Sequence, residues 1–222
     1  MLLMGKVLKF IYTNLSTTLL FLLFIPSGSY SVELGHRFIH KFNLSDDLSF
    51  RTGAYFRAEN HNLFSRHYDF GLVYNLPEDI KLRASYRYKY TRDRSSALAW
   101  ESGQRPHIQL QKDFNVDSSF KLSLRNRHEY RRFKDNDSKH RNRFMVALKY
   151  KEGFNGIKPY IRNEMFYDYE ESEYNLNRFD IGFTFPKVKE VVKPDIALRY
   201  TSTKSKDGSW SSRPSINLKW SF

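Results

Sequence analysis

Apolar and polar side chains alternate through almost the whole chain after residue 32. The alternation is most regular between residues 80 and 91, where apolar and aromatic side chains hold the even positions and lysine, arginine, serine and threonine hold the odd ones. Because successive side chains of a β-strand point to opposite faces, this period of two predicts strands with one apolar and one polar side. No segment fits the helical period as well, so we predict an all-β fold.

Eleven such stretches can be distinguished, and clusters of turn-forming residues separate them. They lie near residues 32–42, 48–59, 67–76, 80–91, 105–114, 120–131, 142–150, 157–169, 178–185, 194–203 and 213–222. Their typical length of about 10–13 residues exceeds the about 5–6 residues common in globular proteins and suits the about 9–11 residues of a tilted membrane crossing. No linker or composition break interrupts them, so we predict one domain.

The alternation alone does not say which face of the sheet lies inside. A soluble barrel places its apolar face in the centre, whereas a membrane barrel turns that face to lipid. Tyrosines concentrate at strand ends on the apolar side, as in the aromatic girdles of membrane barrels. They are Tyr88, Tyr90, Tyr130, Tyr150, Tyr167, Tyr169 and Tyr200. We predict an antiparallel up-and-down transmembrane β-barrel of about 10–12 strands in the bacterial outer membrane. An extracytoplasmic soluble barrel is the alternative.

The strand number is open at this stage, because a single-chain bacterial barrel normally has an even number of strands. With eleven strands, the first and the last would run in the same direction. Either a strand is missing from the count, within residues 93–104, or residues 32–42 do not make a full crossing. We therefore expect ten or twelve strands.

The first residues read as a secretory signal. Lys6 and Lys9 precede the apolar stretch 19–25, and small residues follow at 27–31. This order predicts a signal peptide over residues 1–29, cleaved near residues 29–31, followed by a barrel over residues 30–222. The apolar stretch is too short to span a bilayer as a helix. The chain has no cysteine, which excludes a lipoprotein anchor, disulfides and thiolate zinc sites.

The chain is strongly basic, with 37 lysines and arginines against 24 acids. On the polar faces of the predicted strands we count twenty-one bases and seven acids, an excess of +14. Burying an unpaired charge costs several kcal/mol, so an interior made of these faces should hold water and anions. Basic rings favour anions in channels, and arginine binds carboxylates through two hydrogen bonds. We predict a passive channel for small anionic solutes such as acidic sugars, with no nucleic-acid partner.

The residues that we expect to line this pathway share the polar face of the strands. They are Arg51, Arg57, Arg83, Arg87, Arg125, Arg127, Glu129, Arg131, Arg143, Arg162, Glu164, Arg178 and Arg199. A purely structural role is the alternative for each of them. In particular, the Arg125–Arg131 strand could form a ladder of ion pairs with Arg162 and Glu164. The barrel could then be a non-conducting structural or surface-interaction protein.

Catalytic patterns are weak. Ser65, His67 and Asp69 lie near a predicted rim, and they support a rim-active hydrolase as a less favoured alternative. No HExxH, GxSxG or glycine-rich phosphate loop occurs. We predict no enzyme activity, no metal and no cofactor. Lys112, Asn126 and His128 interrupt the apolar face, and they indicate either a protein–protein contact or a slipped register.

Two groups of residues point to membrane partners. Arg66, Arg92, Arg94 and Lys134 could contact membrane lipid, in particular the phosphates of lipopolysaccharide. The last strand alternates apolar residues up to a terminal aromatic, Phe222, and resembles the C-terminal signature of bacterial outer-membrane barrels. This resemblance implies that the barrel-assembly machinery recognises the strand that ends in Phe222.

Five segments resemble a family of uncharacterised bacterial outer-membrane proteins that is filed as a domain of unknown function. They are LRASYRYKY (82–90), LSLRNRHEYRRF (122–133), HRNRFMVALKY (140–150), IKPYIRNEMFYD (157–168) and NLNRFDIGFTF (175–185). This resemblance implies fold and location but no activity. More loosely, the KPYIR and NRFD strings are similar to small monomeric porins for oligogalacturonate and sialic acid. In those porins, arginines in the lumen line the path of acidic sugars.

Overall fold

The computed structural model describes residues 32–60, 62–92, 100–133 and 138–222 of the 222-residue chain. The predicted signal peptide lies outside the described residues. No helix in these ranges is long and apolar enough to cross a membrane. The strand segments are β1 (Glu33–Asn43), β2 (Leu48–Glu59), β3 (Asn62–Leu76), β4 (Ile80–Thr91), β5 (Glu101–Gln104), β6 (His107–Asn115), β7 (Phe120–Phe133), β8 (Lys139–Tyr150), β9 (Lys158–Asp168), β10 (Glu173–Thr184), β11 (Lys193–Lys204) and β12 (Trp210–Ser221).

The twelve segments occupy eleven strand positions in one closed sheet. The short segments β5 and β6 share one position, because both pair with β4 on one side and with β7 on the other. Arg105 and Pro106 separate them. The ladder continues through this break, since the Arg105 N–H donates to the Arg87 carbonyl at 2.8 Å and the Tyr130 N–H donates to the Pro106 carbonyl at 3.0 Å.

The barrel closes through a parallel pair of strands. Residues Glu33 to Ile39 of β1 run beside Ser215 to Ser221 of β12, whereas the other neighbouring strands are antiparallel. The first and last strands thus share one direction, as the alternation predicted. The prediction of about 10–12 strands is confirmed, but the expectation of an even number was wrong, because a parallel pair closes this sheet of eleven strands. The Phe222 N–H donates to the Ile39 carbonyl at 2.9 Å and completes this seam.

The sheet has its apolar face outside and its charged face inside. Ile108 and Leu110 are 62% and 50% exposed on the outer face, whereas Glu129 and Asp180 are 0% and 1% exposed inside. The predicted barrel is confirmed, and the apolar interior that a soluble barrel would need is not found in the described residues.

The connections form two rims. The C-terminal rim, where β12 ends, carries residues 44–47, 77–79, 116–119, 151–157 and 185–192. The opposite polar rim carries, among the described residues, 60, 92, 100, 138, 169–172 and 205–209. Side-chain hydrogen bonds and glycines with positive φ angles stabilise the turns of the C-terminal rim. The Asp117 carboxylate accepts the N–H groups of Ser119 and Phe120 at 2.7 Å each, and Gly153 and Gly156 have positive φ angles of 71° and 78°.

A tyrosine holds the seam together across a glycine. Tyr55 of β2 reaches over Gly35 of β1 and donates its hydroxyl hydrogen to Asn217 of β12 at 2.6 Å. A Cβ atom at residue 35 would lie 2.6 Å from the Asn217 amide oxygen and 2.7 Å from the Tyr55 hydroxyl. The absence of a side chain at Gly35 therefore makes this bond possible.

Gly35→Ala is expected to displace the Tyr55–Asn217 bond and to lower the free energy of unfolding by about 1 kcal/mol. The measurement is urea unfolding of the refolded barrel in lipid vesicles, followed by tryptophan fluorescence. Tyr55→Phe should cause a similar loss, and the double variant should lose little more than either single one. Gly103→Ala is the control, because its nearest neighbour is a backbone oxygen at 3.3 Å. Equal losses at residues 35 and 103 would contradict the seam bond.

Candidate functional site

The interior contains a network of guanidinium and carboxylate groups from β7, β8 and β9. Glu129 accepts hydrogen bonds from Arg143 at 2.6 Å and from Arg141 at 2.9 Å. Glu164 accepts two hydrogen bonds from Arg143 at 2.8 Å and also pairs with Arg125. The strand register produces this arrangement, because Glu129 lies opposite Arg141 on the neighbouring strand. We call these five residues the β7–β9 network.

A second ion pair joins β3 and β4. Arg87 donates to both oxygens of Asp69, at 2.7 and 3.0 Å, and Arg37 of β1 lies 3.6 Å from the same carboxylate. The pair is buried, with Asp69 5% and Arg87 6% exposed. This two-point geometry is the strong form of an arginine–carboxylate contact, so the negative charge of Asp69 is locally compensated.

Two further carboxylates lie between or beside arginines. Asp180 of β10 accepts hydrogen bonds at 2.7 Å from Arg162 of β9 and from Arg199 of β11. Glu33 of β1 is held by Arg57 of β2 through two bonds of 2.5 Å. These acids therefore have their charge neutralised by strand neighbours.

Lysines replace arginines near the C-terminal rim. Asp113 accepts a hydrogen bond from Lys81 at 2.9 Å and lies 3.1 Å from Lys121. Asp195 accepts from Lys219 at 3.0 Å and from the Tyr160 hydroxyl at 2.9 Å. The count of inward acids made from the sequence omitted both aspartates, although each alternates in step with the inward residues of its own strand. Including them makes nine acids against twenty-one bases and reduces the expected excess to +12.

Several inward cations have no carboxylate partner within the described residues. They include Arg51, Lys89, Arg105, Arg178 and Arg213. Lys89 faces a group of like charges from Arg57, Arg105, Arg131 and Arg141. Arg105 is only 7% exposed, and the positive charges of Arg141 and Arg131 act on it more strongly than the negative charge of Glu129 does. Positive charge is therefore in excess on this side of the interior.

Two cavities open in this region beside the polar rim. The larger has a volume of about 490 Å³, and Arg131, Lys139, Arg141 and Lys204 contribute to its wall. The smaller has a volume of about 350 Å³, and its wall includes Arg57, Arg178 and Arg213 together with the hydroxyls of threonines and serines. Leu176 and Thr203 line both cavities. We call the two together the polar-rim vestibule.

An aromatic ring lies within the charged interior. Phe166 of β9 is 0% exposed, and the guanidinium carbons of Arg143, Arg178 and Arg141 lie 4.6, 4.8 and 4.9 Å from its ring centre. Such contacts are favourable because the ring face carries partial negative charge. Phe166 was missed as a site residue, although its place between Glu164 and Asp168 puts it on the inward face.

The thirteen residues predicted to line the pathway all share the inward face, but their surroundings differ. Arg57, Arg87, Arg125, Arg127, Arg131, Arg143, Arg162 and Arg199 each lie within salt-bridge distance of a carboxylate, as Glu129 and Glu164 do of arginines. Arg83 donates to the Ser85 hydroxyl at 2.6 Å. Arg51 and Arg178 are unpaired among the described residues. A role in solute passage stays a prediction for the whole set.

The predicted rim triad does not form a hydrogen-bonded chain. Ser65, His67 and Asp69 all face inward on β3, and His67 Nε2 lies 3.7 Å from Asp69. Neither the Ser65 hydroxyl nor His67 Nε2 has a hydrogen-bond partner in the described part of the chain. Asp69 is instead engaged by Arg87.

The polar exceptions on the outer face do not come from a slipped register. Asn126 and Asn142 exchange amide hydrogen bonds of 3.0 and 3.3 Å, and His128 lies 3.1 Å from His140. Lys112 donates to Glu78 at 2.9 Å. Asn126 and His128 are therefore paired with neighbours on the same outer face, and Lys112 is paired with Glu78 in the turn between β3 and β4.

The sequence was compared with models of known protein families. The family model described as "Protein of unknown function (DUF2490)" matches residues 28–212. The chain belongs to the DUF2490 family. The predicted resemblance to a family of unknown function is thus confirmed. No curated protein matches this DUF2490 chain.

A solved structure titled "NanC porin structure in rhombohedral crystal form" is similar to the DUF2490 barrel with a TM-score of 0.52. The similarity covers 86% of this chain and 97% of the porin chain, at 8% sequence identity. At that identity the likeness shows the fold alone, and it confirms the predicted similarity to a porin barrel.

Proposed function

We propose that this DUF2490 protein is a passive channel of the bacterial outer membrane that favours small anionic solutes. Three features support the membrane placement: the apolar outer face, strands of 11 to 15 residues apart from the divided β5–β6 position, and the likeness to a porin barrel. Outward tyrosines such as Tyr88 and Tyr200, which are 39% and 47% exposed, suit the boundary between lipid and water. The polar rim then faces outside, and β12 ends on the periplasmic side.

The preference for anions rests on one observation: the inward carboxylates described above are each paired with a base, whereas several inward cations have no carboxylate partner in the described residues. Arg105 and Arg178 are the clearest cases, because both lie among other bases and neither has a carboxylate within salt-bridge distance in the described residues. An anion that enters the interior meets donors that are already desolvated. Rings of such groups favour anions in channels.

The vestibule suggests the class of solute. Its cavities of about 490 and 350 Å³ combine arginine and lysine with the hydroxyls of Thr201, Ser211 and Ser215. Three carboxylates also line them, and two of these, Asp168 and Glu33, are held by Arg131 and Arg57. Arginine binds a carboxylate through two hydrogen bonds, and the hydroxyls both donate and accept. A small acidic sugar offers the complementary groups, a carboxylate and several hydroxyls.

A non-conducting barrel is the second candidate, and the β7–β9 network favours it. Glu129 and Arg143 of that network are 0% and 6% exposed, so their side chains fill part of the interior. In such a barrel the vestibule would bind an anion without passing it on.

Planar-bilayer recording of the refolded wild-type protein distinguishes the two candidates. In a gradient of potassium chloride we expect stepwise conductance. The reversal potential should be shifted from zero toward the equilibrium potential of chloride. A folded barrel, recognised by heat-modified gel mobility, that gives no conductance would support the second candidate. A conducting barrel that selects potassium would contradict the proposed anion preference.

A further inference from the structure

A cluster of two arginines and two aromatic rings lies on the outer face at the polar rim. The guanidinium carbon of Arg66 is 4.7 Å from the ring centre of Trp100 and 5.2 Å from that of Tyr90. The guanidinium carbon of Arg92 lies 5.1 Å from the same Trp100 ring. Strands β3 and β4 bring Arg66 opposite Tyr90, and Trp100 directly precedes β5. We call these four residues the Arg66–Trp100 cluster.

The guanidinium groups of the cluster have N–H donors without an acceptor in the described residues. Arg66 Nε is buried and has no partner in the described residues. Arg92 Nε donates to the Leu63 carbonyl at 2.7 Å, which orients the guanidinium and leaves its terminal nitrogens for another acceptor. No carboxylate in the described part of the chain lies within salt-bridge distance of either arginine. Two neighbouring positive charges thus face outward without compensation.

The position of the cluster indicates the kind of acceptor. Tyr68 and Tyr88, on the same outer face, are 40% and 39% exposed. They lie opposite each other, two residues further from the polar rim than Arg66 and Tyr90. Tryptophan and tyrosine concentrate at the level of lipid headgroups, where a ring contacts chains and its polar atom contacts water. An arginine held against such a ring can donate two hydrogen bonds from its guanidinium group to an oxyanion at that depth.

We propose that the Arg66–Trp100 cluster binds a phosphate group of lipopolysaccharide, on its lipid A part. The two guanidinium groups would share the phosphate oxygens, and the Trp100 ring would lie against the adjacent sugar or acyl chain. This inference rests on the proposed outer-membrane placement with the polar rim outside, but it does not depend on conduction. A barrel that conducts nothing could still carry the site.

The test uses the refolded protein in a neutral detergent and purified lipid A with both phosphates. Native mass spectrometry counts bound lipid A, and a titration followed by tryptophan fluorescence gives the affinity. We expect one saturable site, with an affinity at least about tenfold weaker in Arg66→Gln and in Arg92→Gln, because each loses charge-assisted hydrogen bonds. Trp100→Phe should retain binding and lose most of the fluorescence change.

Lys112→Gln is the matched control. Lys112 also faces outward beside an aromatic ring, with Phe114 at 5.5 Å, but it lies near the opposite rim and is paired with Glu78. This variant should bind lipid A like the wild type. Heat-modified gel mobility checks that each variant folds. If a variant does not fold, Arg66→Lys replaces it. This variant retains the positive charge without the paired N–H groups of the guanidinium, and it should bind with intermediate affinity.

Three results would overturn the proposal: unchanged affinity in both arginine variants, equal affinity for lipid A without phosphates, or equal affinity for phosphatidylglycerol vesicles. The last would assign the cluster to anionic lipids in general. Failure of the channel proposal would look different, since Arg66→Gln should leave the conductance of the protein unchanged. Failure of the membrane placement would be recognised by a wild-type barrel that stays monomeric in water without detergent.

Discussion

Glu129→Gln is expected to lower the free energy of unfolding of the barrel by about 3–5 kcal/mol. The substitution keeps the shape of the side chain but removes the charge that Arg141 and Arg143 share at 2.9 and 2.6 Å. Arg127, at 3.5 Å, also loses part of its compensation. Because Glu129 is 0% exposed, water cannot replace the lost carboxylate without rearrangement.

The loss is measured by urea unfolding in lipid vesicles and by the temperature at which the folded band disappears from a gel. Glu173→Gln is the matched control, since the same substitution then affects a pair at the rim. Glu173 pairs with Lys204, and its side chain is 37% exposed, so we expect a change below about 1 kcal/mol. Similar losses for the two variants would show that the interior behaves like bulk water.

A double variant tests the coupling within the network. In Glu129→Gln with Arg141→Met, one uncompensated guanidinium has been removed together with the carboxylate. We expect this variant to be more stable than the sum of the single losses predicts, because directly bonded partners are not additive. Strict additivity would mean that Arg141 and Glu129 stabilise the barrel independently, contrary to their hydrogen bond.

The sequence predicted the strands well because each strand separates an apolar outer face from a charged inner face. Boundaries near the polar rim were less accurate. The strand predicted at residues 67–76 begins at Asn62. The register shifts between Arg57 and Ala58, and the adjacent apolar residues Leu63 and Phe64 break the alternation there. The parallel seam follows from a count of eleven strands, since the first and last strands then run in the same direction. The expectation of an even number of strands set that count aside.

The candidate site was predictable in composition but not in pairing. The expected ladder of β7 with Glu164 exists, but Arg143 of the intervening strand bridges Glu129 and Glu164. Arg162, expected in the same ladder, bonds to Asp180 of the next strand. Pairing depends on strand register and on side-chain reach across two neighbours, and neither is visible in the period of the sequence.

Charge reversal at Arg105 and Arg178 together is expected to abolish the anion preference of the proposed channel. Each Arg→Glu substitution changes the interior charge by two units at a position without a carboxylate partner in the described residues, so no existing ion pair is broken. A free-energy change of about 1 kcal/mol at the ion's position, reasonable for a nearby charge in a partly screened interior, alters the chloride-to-potassium ratio about fivefold.

The reversal potential in a potassium chloride gradient measures this ratio. In the Arg→Glu variant, the reversal potential should lie near zero or be shifted toward the equilibrium potential of potassium. Arg105→Gln with Arg178→Gln removes half as much charge and should give an intermediate value. Lys112→Glu carries a single reversal of the same kind on the outer face, and it should leave the reversal potential unchanged because the wall of the barrel separates it from the pathway. An unchanged potential in the Arg→Glu variant, with conductance intact, would place the ion path away from both arginines. The selectivity would then have to come from other inward bases that have no carboxylate partner in the described residues, such as Arg51 and Lys149.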